Sequence, residues 1–393
     1  MIGYFLKFKH LLHILSVIKI EWRSPRQSDL LIYDPAGSEI LIKYLSPWRP
    51  KLLYVRREQI NIFVLILSFF QRGKLNISYV DVYIKRVNPR LIITFIDNNK
   101  NFYKISPCHP EIKTIFVQNG FRGYYLDVFE ILDKESFNER DLLHVDYMMT
   151  LGSDIGKEYG RHISGCQVPI GSLKSNSLMK KQPMVRGVIS YISQWYQGGF
   201  YLGGLFYSHE DYSKEVDHLV IKSIAKFARD NKKQFCIIPR YDKSEDLRKK
   251  EELYFRDIVG EEVDFLDPKV NLSSYQATDI SEVVVTTDST LGYESLARGN
   301  KTAFFSIRGN ILNIQGQSFG WPKQFPDDGL FWTNNPNKTS FIQILDYLFT
   351  VNDVKWKEDV LESGFSSVMT NDPGNEIFKS IIEKELGSTP MSQ

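Results

Sequence analysis

Asp288, Ser289 and Thr290 follow the apolar run Val283-Val284-Val285 and precede a stretch, Leu291 to Arg298, that reads as a helix stopped by Gly299. Consecutive β-branched residues mark an interior parallel strand. Asp, Ser and Thr cap helices, and the first amides of a helix hold anions. Glu294 lies one turn into the expected helix, close to whatever the turn binds. A phosphate held at Asp288, Ser289 and Thr290, with the Glu294 carboxylate left for sugar hydroxyls, is the outline of a nucleotide-sugar site. An ordinary strand–turn–helix uses the same residues, and the pattern leaves both readings open.

Other strand ends carry reactive groups. Asp97 terminates LIITFI and precedes Asn98 and Asn99. A carboxylate there suits a general base that deprotonates an acceptor hydroxyl; an Asx-turn or helix cap is the alternative. Gln118-Asn119-Gly120 follows TIFV, with Arg122 and Asp127 downstream. Gly120 fits a positive φ or a close backbone approach. Arg122 suits bidentate contact with a phosphate or sugar carboxylate, or else a surface ion pair. Asp127 is the second candidate base or nucleophile. The candidate catalytic set is therefore Asp97, Asp127, Asn119 and Arg122. In the second half, Ser193 and Gln194 lie on ISYISQW, and Arg240 ends FCIIPR. The hydroxyl-rich strand end suits phosphate oxygens or a base, or ordinary turn formation; the cation Arg240, in the domain with the Asp-Ser-Thr turn, suits a pyrophosphate or monophosphate. His209-Glu210-Asp211 reads as an acidic helix start, because adjacent side chains diverge.

These residues need elements to aim them, and the chain alternates strands and helices throughout. Strands are expected at 30–34, 51–55, 91–97, 114–120 and 147–152, then at 187–193, 235–240 and 263–267, in Val283-Val284-Val285 and in TAFF. Helices are expected near 213–230, 244–257, 338–350 and 373–386. In open parallel sheets ligands bind beyond the carboxyl ends of the strands. A polar, basic stretch at about 173–186 reads as a linker. The expected fold is α/β, with two Rossmann-like domains facing a cleft: 1–172 for the acceptor and 187–393 for the nucleotide sugar. The C-terminal helix either closes the second domain or crosses back to the first.

At 393 residues, two domains fit better than one. With 49 Lys and Arg against 47 Asp and Glu, the net charge of +2 argues against a nucleic-acid binder working through bulk charge. The three cysteines are scattered, so neither a disulfide framework nor a zinc site is expected. No HExxH, GxSxG, GxxxxGK[ST] or strand-following Asp-x-Asp occurs, and the expectation is metal-independent chemistry with no cofactor. No apolar run is long enough to span a bilayer. NIFVLILSFF, 61–70, reads as a buried helix or strand. Residues 1–22 mix apolar residues with Lys7, Lys9 and Lys19. They read either as a helix lying on an anionic membrane face or as a first helix packed on the sheet. A cytoplasmic protein is expected, with the inner face of the inner membrane as a second partner surface.

LLIYDPAGSE at 30–39, ITFIDNN at 93–99, FVQNGFRG at 116–123, PIGS at 169–172, ISYISQW at 189–195 and DSTLGYESLARGNKTAFF at 288–305 occur in that order. Together with FGWP at 319–322 and FWT at 331–333, they make the chain resemble bacterial surface-carbohydrate biosynthesis proteins. The resemblance implies a GT-B-like glycosyltransferase of O-antigen or capsule assembly. It would transfer a sugar from a nucleotide donor to a glycan or lipid-linked acceptor. A fainter likeness to retaining transferases of CMP-activated ulosonic acids, such as Kdo or pseudaminic acid, implies a CMP-linked donor. Ser289, Thr290 and Arg240 would then hold the nucleotide phosphate and Glu294 the ribose. A sugar-nucleotide 2-epimerase, a CDP-polyol phosphotransferase and a non-catalytic assembly protein remain as alternatives.

Overall fold

The computed structural model describes residues 18–388 other than 57, 72–77, 126, 135–141, 179–182, 203–204, 242–243, 261, 267–272 and 315. Along the first half run β1 (Lys19–Glu21), β2 (Leu30–Tyr33), β3 (Lys51–Leu53), β4 (Gln59–Asn61), β5 (Leu91–Thr94), β6 (Lys113–Val117), β7 (His144–Thr150) and β8 (Ser164–Pro169). The second half carries β9 (Val185–Ile192), β10 (Gly199–Leu202), β11 (Leu205–Ser208), β12 (Gln234–Ile238), β13 (Asp264–Phe265), β14 (Ser281–Thr286), β15 (Thr302–Phe305) and β16 (Trp332–Thr333).

Two six-stranded parallel sheets result. The first has the order β3-β2-β5-β6-β7-β8 and the second β13-β12-β9-β14-β15-β16. Every residue of β2 and β5 is buried, as expected of strands covered on both faces. Counted within its own half, the second sheet runs 3-2-1-4-5-6, the order of dinucleotide-binding folds; the first runs 2-1-3-4-5-6. Each order reverses once, between β9 and β14 and between β2 and β5. The crevices that such reversals open at the strands' carboxyl ends are the ligand-binding positions of this architecture. The fold is α/β with two Rossmann-like lobes.

Helix Glu376–Leu386 packs on the first lobe, far from its neighbours in sequence. Phe378, Ile382 and Leu386 share one core with Leu30, Ile32, Leu41 and Ile93. Asn375 Nδ2 donates to Tyr44 Oη at 2.9 Å. The segment before it lies so close to the first lobe that a Cβ on Gly171, at φ +72°, would meet the Thr370 carbonyl oxygen at 2.1 Å.

Several expectations change. Lys19 belongs to a strand, β1, which pairs in parallel with β4; residues 1–17 lie outside the described residues. Ile62–Gln71 is a helix, but only one face is buried: Val64 and Ser68 point inward while Phe69 and Phe70 are exposed. Within the expected linker, Ser172 caps a short helix, Leu173–Asn176, whose Leu173, Ser175 and Asn176 are buried. β8 and the antiparallel β10–β11 pair were not expected. β8 is a mostly exposed sheet edge with no apolar alternation to show it.

Candidate active site at the lobe junction

At the carboxyl end of β14 the chain turns when Ser289 N donates to Thr286 Oγ1 at 3.1 Å. Gln194, at the end of β9, crosses the sheet reversal to hold that turn. Its Nε2 donates to Asp288 Oδ1 at 2.6 Å, and its Oε1 accepts from Thr287 Oγ1 and the Asp288 amide. Arg308 pairs with Asp288 Oδ2 from the end of β15. The Asp288 carboxylate is thus a brace for the turn. Helix Thr290–Ala297 starts here with Ser289 as N-cap, and the Ser289 hydroxyl makes no cap hydrogen bond. The Thr290 and Leu291 amides have no hydrogen-bond partner among the described residues. Arg240 is exposed. It donates to the Gln194 carbonyl oxygen at 3.3 Å and lies over the Tyr196 ring. The β9/β14 reversal thus carries two open amides and an unused hydroxyl, with Arg240 tied to the same turn through Gln194, a combination suited to an oxyanion.

Like Gln194 and Asp288, which brace the turn, two more residues expected to bind the nucleotide take other roles. Ser193 donates to Glu251, a fully buried carboxylate that also accepts the Arg240 and Tyr241 amides. Burial raises the Glu251 carboxyl despite those bonds. Ser193 is buried, accepts the Trp195 amide at 3.2 Å and shapes the Arg240 loop through Glu251. Glu294 is only 5% exposed, and its Oε1 accepts from both Ser172 and Tyr275. Burial pushes its carboxyl up to about 7. Glu294 joins the segment after β8 to the second lobe, so the ribose role does not suit its position.

In the first lobe Asp97 is fully buried. Its Oδ1 accepts from the Asn119 amide at 3.2 Å and from Arg122 Nη2; its Oδ2 accepts from Arg122 Nε at 2.7 Å and Tyr159 Oη at 2.6 Å. Four donors fill the roughly four lone-pair sites of a carboxylate. Asp97 therefore holds Arg122 and has no vacant position for an acceptor proton; the general-base expectation does not suit it. Burial lowers the Arg122 guanidinium, but the charge and hydrogen bonds of Asp97, with Tyr159 and Asp127 beside it, together raise it. Arg122 also donates to Asn119 Oδ1 at 2.8 Å, and its Nη1 has no hydrogen-bond partner among the described residues. Asp127 caps helix Val128–Asp133, accepting the Val128 amide at 2.7 Å and the Gly123 amide at 3.3 Å. Burial raises its carboxyl, and two donors leave about half its acceptor capacity open.

The two loops meet. Phe121 N donates to Thr290 Oγ1 at 2.8 Å, and the Phe121 ring stacks on Tyr293 with centroids 4.0 Å apart and planes 6° from parallel. Gly120 does not have a positive φ, and a Cβ there would sit 3.5 Å from Thr290 Oγ1, an ordinary contact. The Asn119–Arg122 loop and the Asp288–Thr290 turn, both expected from sequence, thus form one junction. Sequence reading pointed to Gln118 and Ser172 without a contact for either, and it missed Phe121, Tyr159, Tyr275 and Arg308. Arg308 was accessible by the rule that singled out Arg240, since it too follows a strand's carboxyl end. Gln118 bridges the Leu151 amide and the Gly120 carbonyl oxygen, fixing the loop's path.

Among the described residues, no group of three His, Cys, Asp or Glu side chains is placed to hold a metal ion. No described helix is long and apolar enough to cross a membrane.

No curated protein sequence matches the chain. Among solved structures, the wall teichoic acid polymerase TagF is 11% identical over 92% of this chain and 90% of its own, with a TM-score of 0.48. The UDP-GlcNAc 2-epimerase of Neisseria meningitidis is 12% identical over 94% and 99%, with a TM-score of 0.46. S. aureus MnaA, solved with UDP, is 11% identical over 93% and 99%, with a TM-score of 0.49. Likeness at this level says nothing about substrate. A family model described as "putative O-antigen biosynthesis protein" matches residues 115–386. That span runs from β6 to the helix that returns to the first lobe, well over half of the sequence, and the chain belongs to this family of O-antigen biosynthesis proteins.

Proposed function

We propose that the chain is a glycosyltransferase that moves a sugar from a nucleotide donor to a glycan or lipid-linked acceptor during O-antigen assembly. The observation that supports this best is the junction of the open helix start at Ser289–Leu291 with the Asn119–Arg122 loop of the other lobe. The donor phosphate is assigned to the Thr290 and Leu291 amides, the Ser289 hydroxyl and Arg240. Preorganised amides and a cation stabilise the charge that grows on a leaving phosphate, so transfer needs no divalent ion. Arg122, held by Asp97 and Asn119, presents Nη1 to a donor phosphate or sugar carboxylate. A CMP-activated ulosonic acid carries such a carboxylate. Asp127, with acceptor capacity in reserve, is assigned the acceptor proton.

Thermal unfolding with CMP, UDP, GDP and CDP, each added alone, tests the donor site. A nucleotide at about a hundredfold excess over its Kd adds about 2.7 kcal/mol of stability. The expected result is stabilisation by one nucleotide that survives EDTA and is lost in Arg240→Ala. Turnover of the matching sugar nucleotide should glycosylate an added acceptor. Release of an epimerised sugar nucleotide alone, or stabilisation only with magnesium, would overturn the reading.

A further inference from the structure

Helix Ile62–Gln71 is apolar except for the buried Ser68 and the terminal Gln71, yet it is not buried on all sides. Leu65, Ile66, Phe69 and Phe70 are exposed, Phe69 by 71% and Phe70 by 77%. Their spacing of one, four and five residues puts them in one stripe along a helix about 15 Å long. The strand beside it, β1, adds the exposed Ile20, and Trp22 just past its end is 71% exposed. A contiguous apolar patch of this kind marks an interaction surface. A ten-residue helix is too short to cross a bilayer, but an apolar face of this length can lie within the interface.

The charges beside the patch favour one occupant. Lys19, Arg23 and Arg26 are exposed on the segment that carries Trp22. In sequence, residues 1–17 and 72–77 flank these elements with Lys7, Lys9, Arg72 and Lys74 and no acidic residue. The acidic residues on or next to these elements are Glu58, exposed, and Glu21, half-buried and bonded to Asn61; cations outnumber them, and apolar rings beside a cationic excess match an anionic bilayer surface.

The patch also leads inward. Leu65, on the exposed stripe, lines an apolar groove of about 310 Å³ with Ile60, Tyr79 and Val80. Val55 lines that groove and also a second cavity of about 420 Å³, where Asp34, Arg56, Asn98 and Asn99 gather at the β2/β5 reversal. An apolar surface, an apolar groove and a carboxamide-rich cavity thus follow one another across the first lobe.

We propose that the first lobe docks on an anionic membrane through helix Ile62–Gln71 and takes a lipid-linked acceptor from it, with lipid in the groove and sugar in the Asp34–Asn99 cavity. The acceptor's identity rests on the transferase reading above; the docking does not and is measured without turnover. The full chain is sedimented with vesicles of phosphatidylethanolamine plus phosphatidylglycerol, and with phosphatidylcholine alone. Wild type should bind the anionic vesicles, and F69S/F70S should bind them about tenfold more weakly or worse, with an unchanged melting temperature and nucleotide response. Failure of wild type to bind, or equal binding by the double variant, would overturn the proposal. So would a wild-type dimer that F69S/F70S converts to monomer without any vesicle binding, which would show a second copy on the patch. Binding abolished by deleting residues 1–17 but untouched by F69S/F70S would overturn it in favour of that segment. Loss of nucleotide response in a protein that still docks would sink the transferase reading and leave the docking standing.

Discussion

Asp97 and Arg122 form a buried ion pair whose members are 0% and 13% exposed at the side chain. Removing the charge from one member of such a pair leaves the other uncompensated, at a cost of about 3–5 kcal/mol. Asp97→Asn should therefore lower stability by roughly 3 kcal/mol in urea denaturation, and activity should fall with it. Full stability with turnover reduced about 10²–10⁴-fold would instead restore Asp97 as a base. Glu294 supplies a pH test. Its folded carboxyl is raised to about 7 by burial, from an ordinary value near 4.5. Between those values the folded state binds more protons than the unfolded one, so this group's contribution to stability falls as pH rises from about 4.5 to about 7. The full effect is on the order of 3 kcal/mol. Glu294→Gln can still accept from Ser172 and Tyr275 and carries no charge. Its melting temperature should lie above wild type at pH 8 and should change less between pH 5 and 8. A parallel pair of pH profiles would refute this assignment.

Helix Glu376–Leu386 completes a core that it does not adjoin in sequence. Phe378 is 1% exposed between strands and helices of the first lobe. Phe378→Ala should destabilise by about 3–5 kcal/mol, and limited proteolysis should open the first lobe before the second. Cleavage that starts in the second lobe would count against that. Elements with a local apolar signature were legible beforehand: β2, β5, β6 and β14 are short buried runs, and the helix ending before Gly299 had its stop residue in view. β8 was not legible, because an exposed edge strand of Ser, Gly, Cys and Gln has no period to read. The exposure of helix Ile62–Gln71 escaped for the opposite reason. An apolar sequence looks the same whether protein or something else covers it. At the site, strand ends pointed to Asn119, Arg122, Arg240 and Asp288–Thr290. They gave no sign of what these residues touch. Ser172 meets Glu294 across 122 positions, and Phe121 meets Thr290 across 169, and such pairings leave no trace in a sliding window.

The two lobes are tied at several separate points. The Phe121–Thr290–Tyr293 contact closes one side. Arg298, ion-paired with Asp279, donates to the Ser175 and Leu178 carbonyl oxygens of the connecting segment. Helix Glu376–Leu386 crosses back beyond them. Lobes joined only by a flexible linker unfold separately, whereas lobes that share packing elements unfold together. A single urea transition, coincident by tryptophan fluorescence and far-ultraviolet circular dichroism, is expected; two resolved transitions would show that these ties are weak. The returning helix also sets the order in which the protein can be made. Asn375 reaches Tyr44 across 331 positions. A ribosome adding about 5–20 residues each second needs on the order of 20–60 s to cover that distance. The second lobe can bury its sheet as soon as it emerges, but the first lobe, synthesised earlier, must wait with the ground beneath Leu30 and Ile93 uncovered. The half of the protein that is born first is finished last. During that interval its unshielded apolar face is the natural target for a chaperone.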